Sequence, residues 1–120
     1  MTATAALLVA LGAAVGAPLR YLVNHEVRAR LGGTPAAGTL LVNVAGSFVL
    51  GVVVGAGLGS APLALVGVGF CGALTTFSTL ALEIWDAMAD DRYAHAVANV
   101  ALSLVLGLGA AWAGWVVAGG

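Results

Sequence analysis

Three stretches without a single Asp, Glu, Lys or Arg, from Met1 to Leu19, Leu31 to Leu82 and Tyr93 to Gly120, constrain this chain more than any motif in it. A helix needs roughly 20 apolar residues to cross the hydrocarbon of a bilayer. The outer stretches each suffice for one span and the middle one for two, divided by Gly59-Ser60-Ala61-Pro62, where Pro62 is well placed to start a new helix. The expectation is an all-α membrane protein with spans over residues 3–23, 37–58, 63–88 and 93–118. The whole of residues 1–120 then forms a single four-helix transmembrane domain. With 62% of residues hydrophobic and a mean hydropathy of +1.10, no stretch is left for a soluble domain.

The start resembles a secretory signal in its small residues near Ala17, but no Lys or Arg precedes the apolar run and Pro18 would sit just after the cut. Cys71 is the only cysteine, so it cannot form an intrachain disulfide, and it reads as a small buried apolar residue. A four-helix bundle of this size fills its centre with side chains, so an ionic pathway calls for a second copy or a partner. Arg20, Arg28, Arg30 and Arg92 fall toward one side of the four-span arrangement, and the other side has no Lys or Arg. The positive-inside rule puts that side in the cytoplasm and both termini outside.

Gly12 with Gly16, Gly51 with Gly55, and Gly107 with Ala111 are small-xxx-small spacings, which let membrane helices approach closely. Gly67, Gly69 and Gly72 spell G-x-G-x-x-G, but a dinucleotide site needs that string between a strand and a helix, and here it is embedded in apolar sequence. The same glycines suit a local break in the third span, with Thr75, Thr76, Ser78 and Thr79 available to bind freed backbone groups. An unbroken helix with its hydroxyls bonded to the preceding turn fits the spacing as well.

Polar side chains recur at helical steps: Asn43 and Ser47; Thr75, Thr79 and Glu83; His95, Asn99 and Ser103. Polar groups at membrane depth are expensive, and three stripes favour a shared route over interhelical glue. His95 reads as a headgroup-level residue near Arg92, and Trp112 and Trp115 as an interfacial belt. Hydroxyls, an amide and the positive edge of a Phe ring suit an anion, since they replace its hydration without a fixed charge that would trap it. No carboxylate falls in the first or second expected span, which argues against a small multidrug-type transporter coupled to protons. No catalytic triad, Cys/His metal cluster or phosphate loop is recognisable, so an enzyme is not expected, nor a nucleic-acid partner.

GAPLRY from Gly16, GTLLVNVAGSF from Gly38, GFCGALTTFST from Gly69 and NVALS from Asn99 together resemble the fluoride channel family called Fluc or CrcB, in order and across all four spans. The resemblance implies passive, selective fluoride export that relieves toxicity, from a cell membrane. It implies an antiparallel, dual-topology dimer of four-helix subunits, each with a broken third helix. A structural Na+ would be held by the backbone carbonyls of Gly72 and Thr75. Asn43 would donate to fluoride, Phe77 would present its ring edge, and Ser78, Thr79 and Ser103 would continue a polar track. Arg20 would lend electrostatic support in a vestibule. The family block usually carries a second Phe where this chain has Leu80, so one aromatic step for fluoride is missing. The resemblance leaves the second, oppositely oriented subunit as the chain itself or a paralogue; the Leu80 departure and the Arg bias point to a heterodimer with a paralogue, in which the pore containing Leu80 conducts poorly or this chain is a non-conducting partner.

Overall fold

The structure, a computed structural model, describes residues 2–32 and 35–120. Helix α1, Ala3–Leu31, starts where the Thr2 hydroxyl accepts the Ala5 N–H at 3.1 Å. It continues well past the expected end at residue 23. Glu26 and Arg30 pair one turn apart at 3.0 Å, Arg28 and Arg30 sit at the negative end of the helix dipole, and Gly32 closes the helix in the left-handed conformation at φ 71°. The charged segment expected to be a loop is therefore the last turns of α1. Pro18 lies inside this helix, a placement that membrane helices tolerate.

Helix α2, Pro35–Ala56, opens on a proline, whose missing N–H is no loss in a first turn. Gly57 at φ 61° and Gly59 at φ 102° make the turn into α3, residues 60–74. This helix begins with Ser60–Pro62, widens into a π-helical stretch over Leu63–Cys71 and tightens again at Gly72–Leu74. Residues 75–77 are not helical, and α4 resumes over Ser78–Ala89. Helix α5, Tyr93–Val117, follows a turn in which Asp91 takes φ 58°. The third span is thus interrupted, but beyond the glycines that suggested it. Gly67 and Gly69 lie within the continuous part of α3, where their missing side chains admit Leu50 and Val9.

Two tight helix pairs build the bundle, α2 with α5 and α1 with α3. A Cβ at Gly51 would strike Ala111 O, one at Gly55 would meet Trp115 Cα at 2.8 Å, and one at Gly114 would strike Phe48 O. A Cβ at Gly12 would strike Leu65 O, and one at Gly16 would strike Phe70 O. Lipid chains are as apolar as leucine, so close backbone approach rather than hydrophobic burial holds such helices together. The distribution of side chains agrees: Gly12, Gly16, Thr39, Val42 and Thr76 are buried, while Leu7, Leu11, Val105, Leu108 and Trp112 are exposed. The long dimension of 46 Å matches a bilayer with its headgroups. Among the described residues four helical segments, with α3 and α4 together forming the interrupted third over Ser60–Ala89, are long and apolar enough to cross it, so this is a multi-pass membrane protein.

Candidate functional site

At the interruption Thr75 is extended, with φ −82° and ψ 159°, and Phe77 returns to helical angles at φ −88° and ψ −39°. Asn43 on α2 grips the chain between them. Its Oδ1 accepts the Thr76 N–H at 2.7 Å and its Nδ2 donates to Thr76 O at 3.0 Å, so one side-chain amide satisfies both backbone groups of one residue. The buried Thr76 hydroxyl caps α4 by accepting the Thr79 N–H at 3.2 Å, and it also contacts Thr79 Oγ1 at 3.1 Å and Ser78 Oγ at 3.4 Å.

These contacts decide which carbonyls the break exposes. A continuous helix would close the Thr76 N–H on Gly72 O and the Thr79 N–H on Thr75 O. Both donors are diverted, the first to Asn43 and the second to Thr76 Oγ1, so Gly72 O and Thr75 O lose their helical partners. Gly72 is exposed, with no atom within 4 Å of where a Cβ would sit. Thr75 O accepts instead from Arg20 Nη1 at 3.1 Å, and the Thr75 hydroxyl bonds back to Cys71 O at 2.8 Å. Arg20 therefore reaches the break itself.

An open cleft of about 520 Å³ runs along this feature. Asn43, Gly72, Thr75, Thr76, Phe77 and Leu80 all line it, and among the described residues no charged one does. Phe77 is 82% exposed, so its ring projects from the bundle rather than packing within it. Ser78 and Thr79 join the site through Thr76 Oγ1. Ser103 lies apart on α5, donating to Asn99 Oδ1 at 3.2 Å, which leaves the Asn99 amide hydrogens as the unused donors of that pair. Thr75 does not share a helical face with Thr79 and Glu83, because the break separates their registers.

Two residues matter more than their spacing suggested. Thr76 is the hub of the hydroxyl cluster, and Thr39 donates to Glu83 Oε2 at 2.7 Å. Thr39, Asn43 and Ser47 form a four-residue series along α2, and extending that stripe by one step would have found Thr39. The second Glu83 oxygen, Oε1, is buried without a partner among the described residues. Glu83 borders a smaller cavity of about 170 Å³ with Asp86, Arg92, His95 and Asn99, which gathers the acid and the start of the α5 stripe around one space.

A family model described as "CrcB-like protein, Camphor Resistance (CrcB)" matches residues 7–115. "Fluoride-specific ion channel FluC 2" of Rhodococcus jostii is 47% identical over 109 residues, covering 91% of this chain and 94% of the relative. "Fluoride-specific ion channel FluC 1" of Nocardia farcinica is 45% identical over 106 residues, 88% of this chain and 75% of the relative. "Fluoride-specific ion channel FluC 2" of Mycobacterium tuberculosis is 43% identical over 123 residues, with 97% and 98% covered. The matched stretch includes the interruption and the residues that clamp it.

Proposed function

The chain belongs to the CrcB family, and from that premise we propose that it is a fluoride-selective channel subunit, conducting passively across the cell membrane and lowering the toxicity of cytoplasmic fluoride. The observation that carries the reading is the uncharged cleft at the interrupted third span, lined by Asn43 and Phe77. Fluoride holds its water tightly, and a pore must offer donors in exchange. Only one Nδ2 hydrogen of Asn43 is spent on Thr76 O, and the other remains available. The positive rim of Phe77 and the hydroxyls of Ser78 and Thr79 extend the donors along the break, and Ser103 with Asn99 extends them onto α5. No cationic side chain is among the described residues of the cleft lining, although Arg20 reaches the lining residue Thr75 from α1.

A multidrug-type transporter fits less well. The only acid in α1 is Glu26, exposed and paired with Arg30, and α2 has none.

A structural Na+ at the Gly72 and Thr75 carbonyls completes the reading. Diversion of the Thr76 and Thr79 N–H groups frees Gly72 O and leaves Thr75 O with one lone pair on Arg20 Nη1 and the other unspent, and carbonyls of unwound backbone are the ligands that hold Na+ in membrane proteins. When bound, the ion would supply fixed positive charge at the break. A second subunit in the opposite orientation, the chain itself or a paralogue, would cover the open cleft. The exposed Phe77 supports this, and Leu80 beside it is the position at which a partner with a full aromatic pair would differ.

The test is ion efflux from liposomes holding this protein alone, followed with fluoride- and chloride-selective electrodes. Fluoride should leave and chloride should stay; equal release of both would overturn the reading, and release of neither would overturn self-pairing and leave only a channel completed by a paralogue.

A further inference from the structure

Gly12, Gly16 and Arg20 are successive four-residue steps along one face of α1. The first two bring α1 against the α3 backbone at Leu65 and Phe70, so the third arrives at the end of that helix. There the half-buried Arg20 guanidinium donates to Thr75 O at 3.1 Å, the oxygen whose helical donor, the Thr79 N–H, is bound to Thr76 Oγ1. We propose that Arg20 is a positioning residue of the pore: by replacing the missing helical donor at Thr75 O, it holds the interruption open from within a single subunit.

A carbonyl removed from water and left unmade is costly, and a charged donor satisfies it more strongly than a neutral one. The glycine contacts hold α1 in place on α3, so the guanidinium is delivered by a helix already docked. Arg20 grips Thr75 from α1 while Asn43 grips Thr76 from α2. Residues 75 and 76 cannot rewind into a continuous helix without breaking bonds to two different helices. Beside the vestibule role that the family resemblance implies for Arg20 stands a structural one with a defined acceptor. The inference rests on the interrupted span and not on which ion passes, so it can fail while fluoride conduction stands, and the reverse.

Carbon-13 NMR of threonine-labelled protein, in fluoride-free buffer, tests it with R20M, which keeps length but loses the donor, and R20K, which restores a charged donor. In R20M the Thr79 N–H can return to the orphaned Thr75 O, so Thr75 should exchange the extended-backbone shifts expected from its ψ of 159° for helical ones. R20K should keep the extended shifts. A role in packing alone would leave Thr75 extended in R20M and overturn the proposal. If R20M does not assemble, assembly of R20K supports the donor role and equal failure of R20K overturns it.

Discussion

Replacing Asn43 by Asp separates the two jobs assigned to this residue. The aspartate side chain has nearly the shape of the asparagine and keeps an acceptor for the Thr76 N–H, which lies 2.7 Å from Asn43 Oδ1. It loses the Nδ2 donor and sets a carboxylate oxygen where that group lay 3.0 Å from Thr76 O. An orphaned carbonyl costs about 1–3 kcal/mol. The larger effect falls on the ion. A negative charge about 5 Å from a passing anion, at an effective dielectric of about 20, raises the barrier by about 3 kcal/mol, since the interaction is ~332/(εr). That corresponds to a flux roughly 150-fold lower. Fluoride-electrode efflux from liposomes measures it, with a melting curve to establish that N43D still folds. A folded N43D conducting within about threefold of the parent would refute the placement of Asn43 on the ion path, because a change of about threefold corresponds to under 1 kcal/mol.

Thr39→Val keeps the shape of a fully buried residue but removes the 2.7 Å bond to Glu83, whose other oxygen already has no partner among the described residues. SDS-titrated unfolding should show a loss of about 1.5–3 kcal/mol, and no change would mean that the acid is solvated. Gly51→Val drives a side chain into Ala111 O and should lower stability by roughly 1–3 kcal/mol or more, whereas Gly109→Ala, with nothing within 4 Å, should be neutral or stabilising by about 0.5–1 kcal/mol. Equal melting temperatures for the two variants would contradict the close α2–α5 approach. Leu80→Phe restores a second ring beside Phe77 and should quicken fluoride efflux about fivefold, for on the order of 1 kcal/mol of ring-edge stabilisation; unchanged flux would remove Leu80 from the path. Exchanging sodium for choline should lower the melting temperature if Gly72 and Thr75 carbonyls hold Na+, and an identical melt would argue against that site.

The spans were legible because crossing a bilayer imposes length and hydropathy that few other structures satisfy. Glycine pairs were legible too: Gly51 and Gly55 mark one helix contact, Gly12 and Gly16 another. The position of the break was legible from the family resemblance, which set it at the Gly72 and Thr75 carbonyls, but not from local composition: Gly67 and Gly69 pointed to it, yet α3 continues through them and stops at Thr75. The reason is tertiary: Asn43, distant in sequence, takes the Thr76 N–H that would have extended the helix. The end of α1 was missed for a local reason, since charged residues read as a loop while Glu26 and Arg30 pair and Gly32 terminates the helix. Arg20 was singled out, but only the register that it shares with Gly12 and Gly16, together with the docking of α1 on α3, gives it an acceptor.

The most direct measurement is a carbon-13 solid-state NMR spectrum of threonine-labelled protein in bilayers, recorded with and without fluoride. Thr75 should show the Cα and Cβ shifts of extended backbone, in keeping with its ψ of 159°, beside helical shifts for Thr79, and fluoride should move the Thr76 and Thr79 side-chain signals. Helical shifts for Thr75, Thr76 and Thr79 alike, indifferent to fluoride, would contradict an anion path built on an interrupted third span.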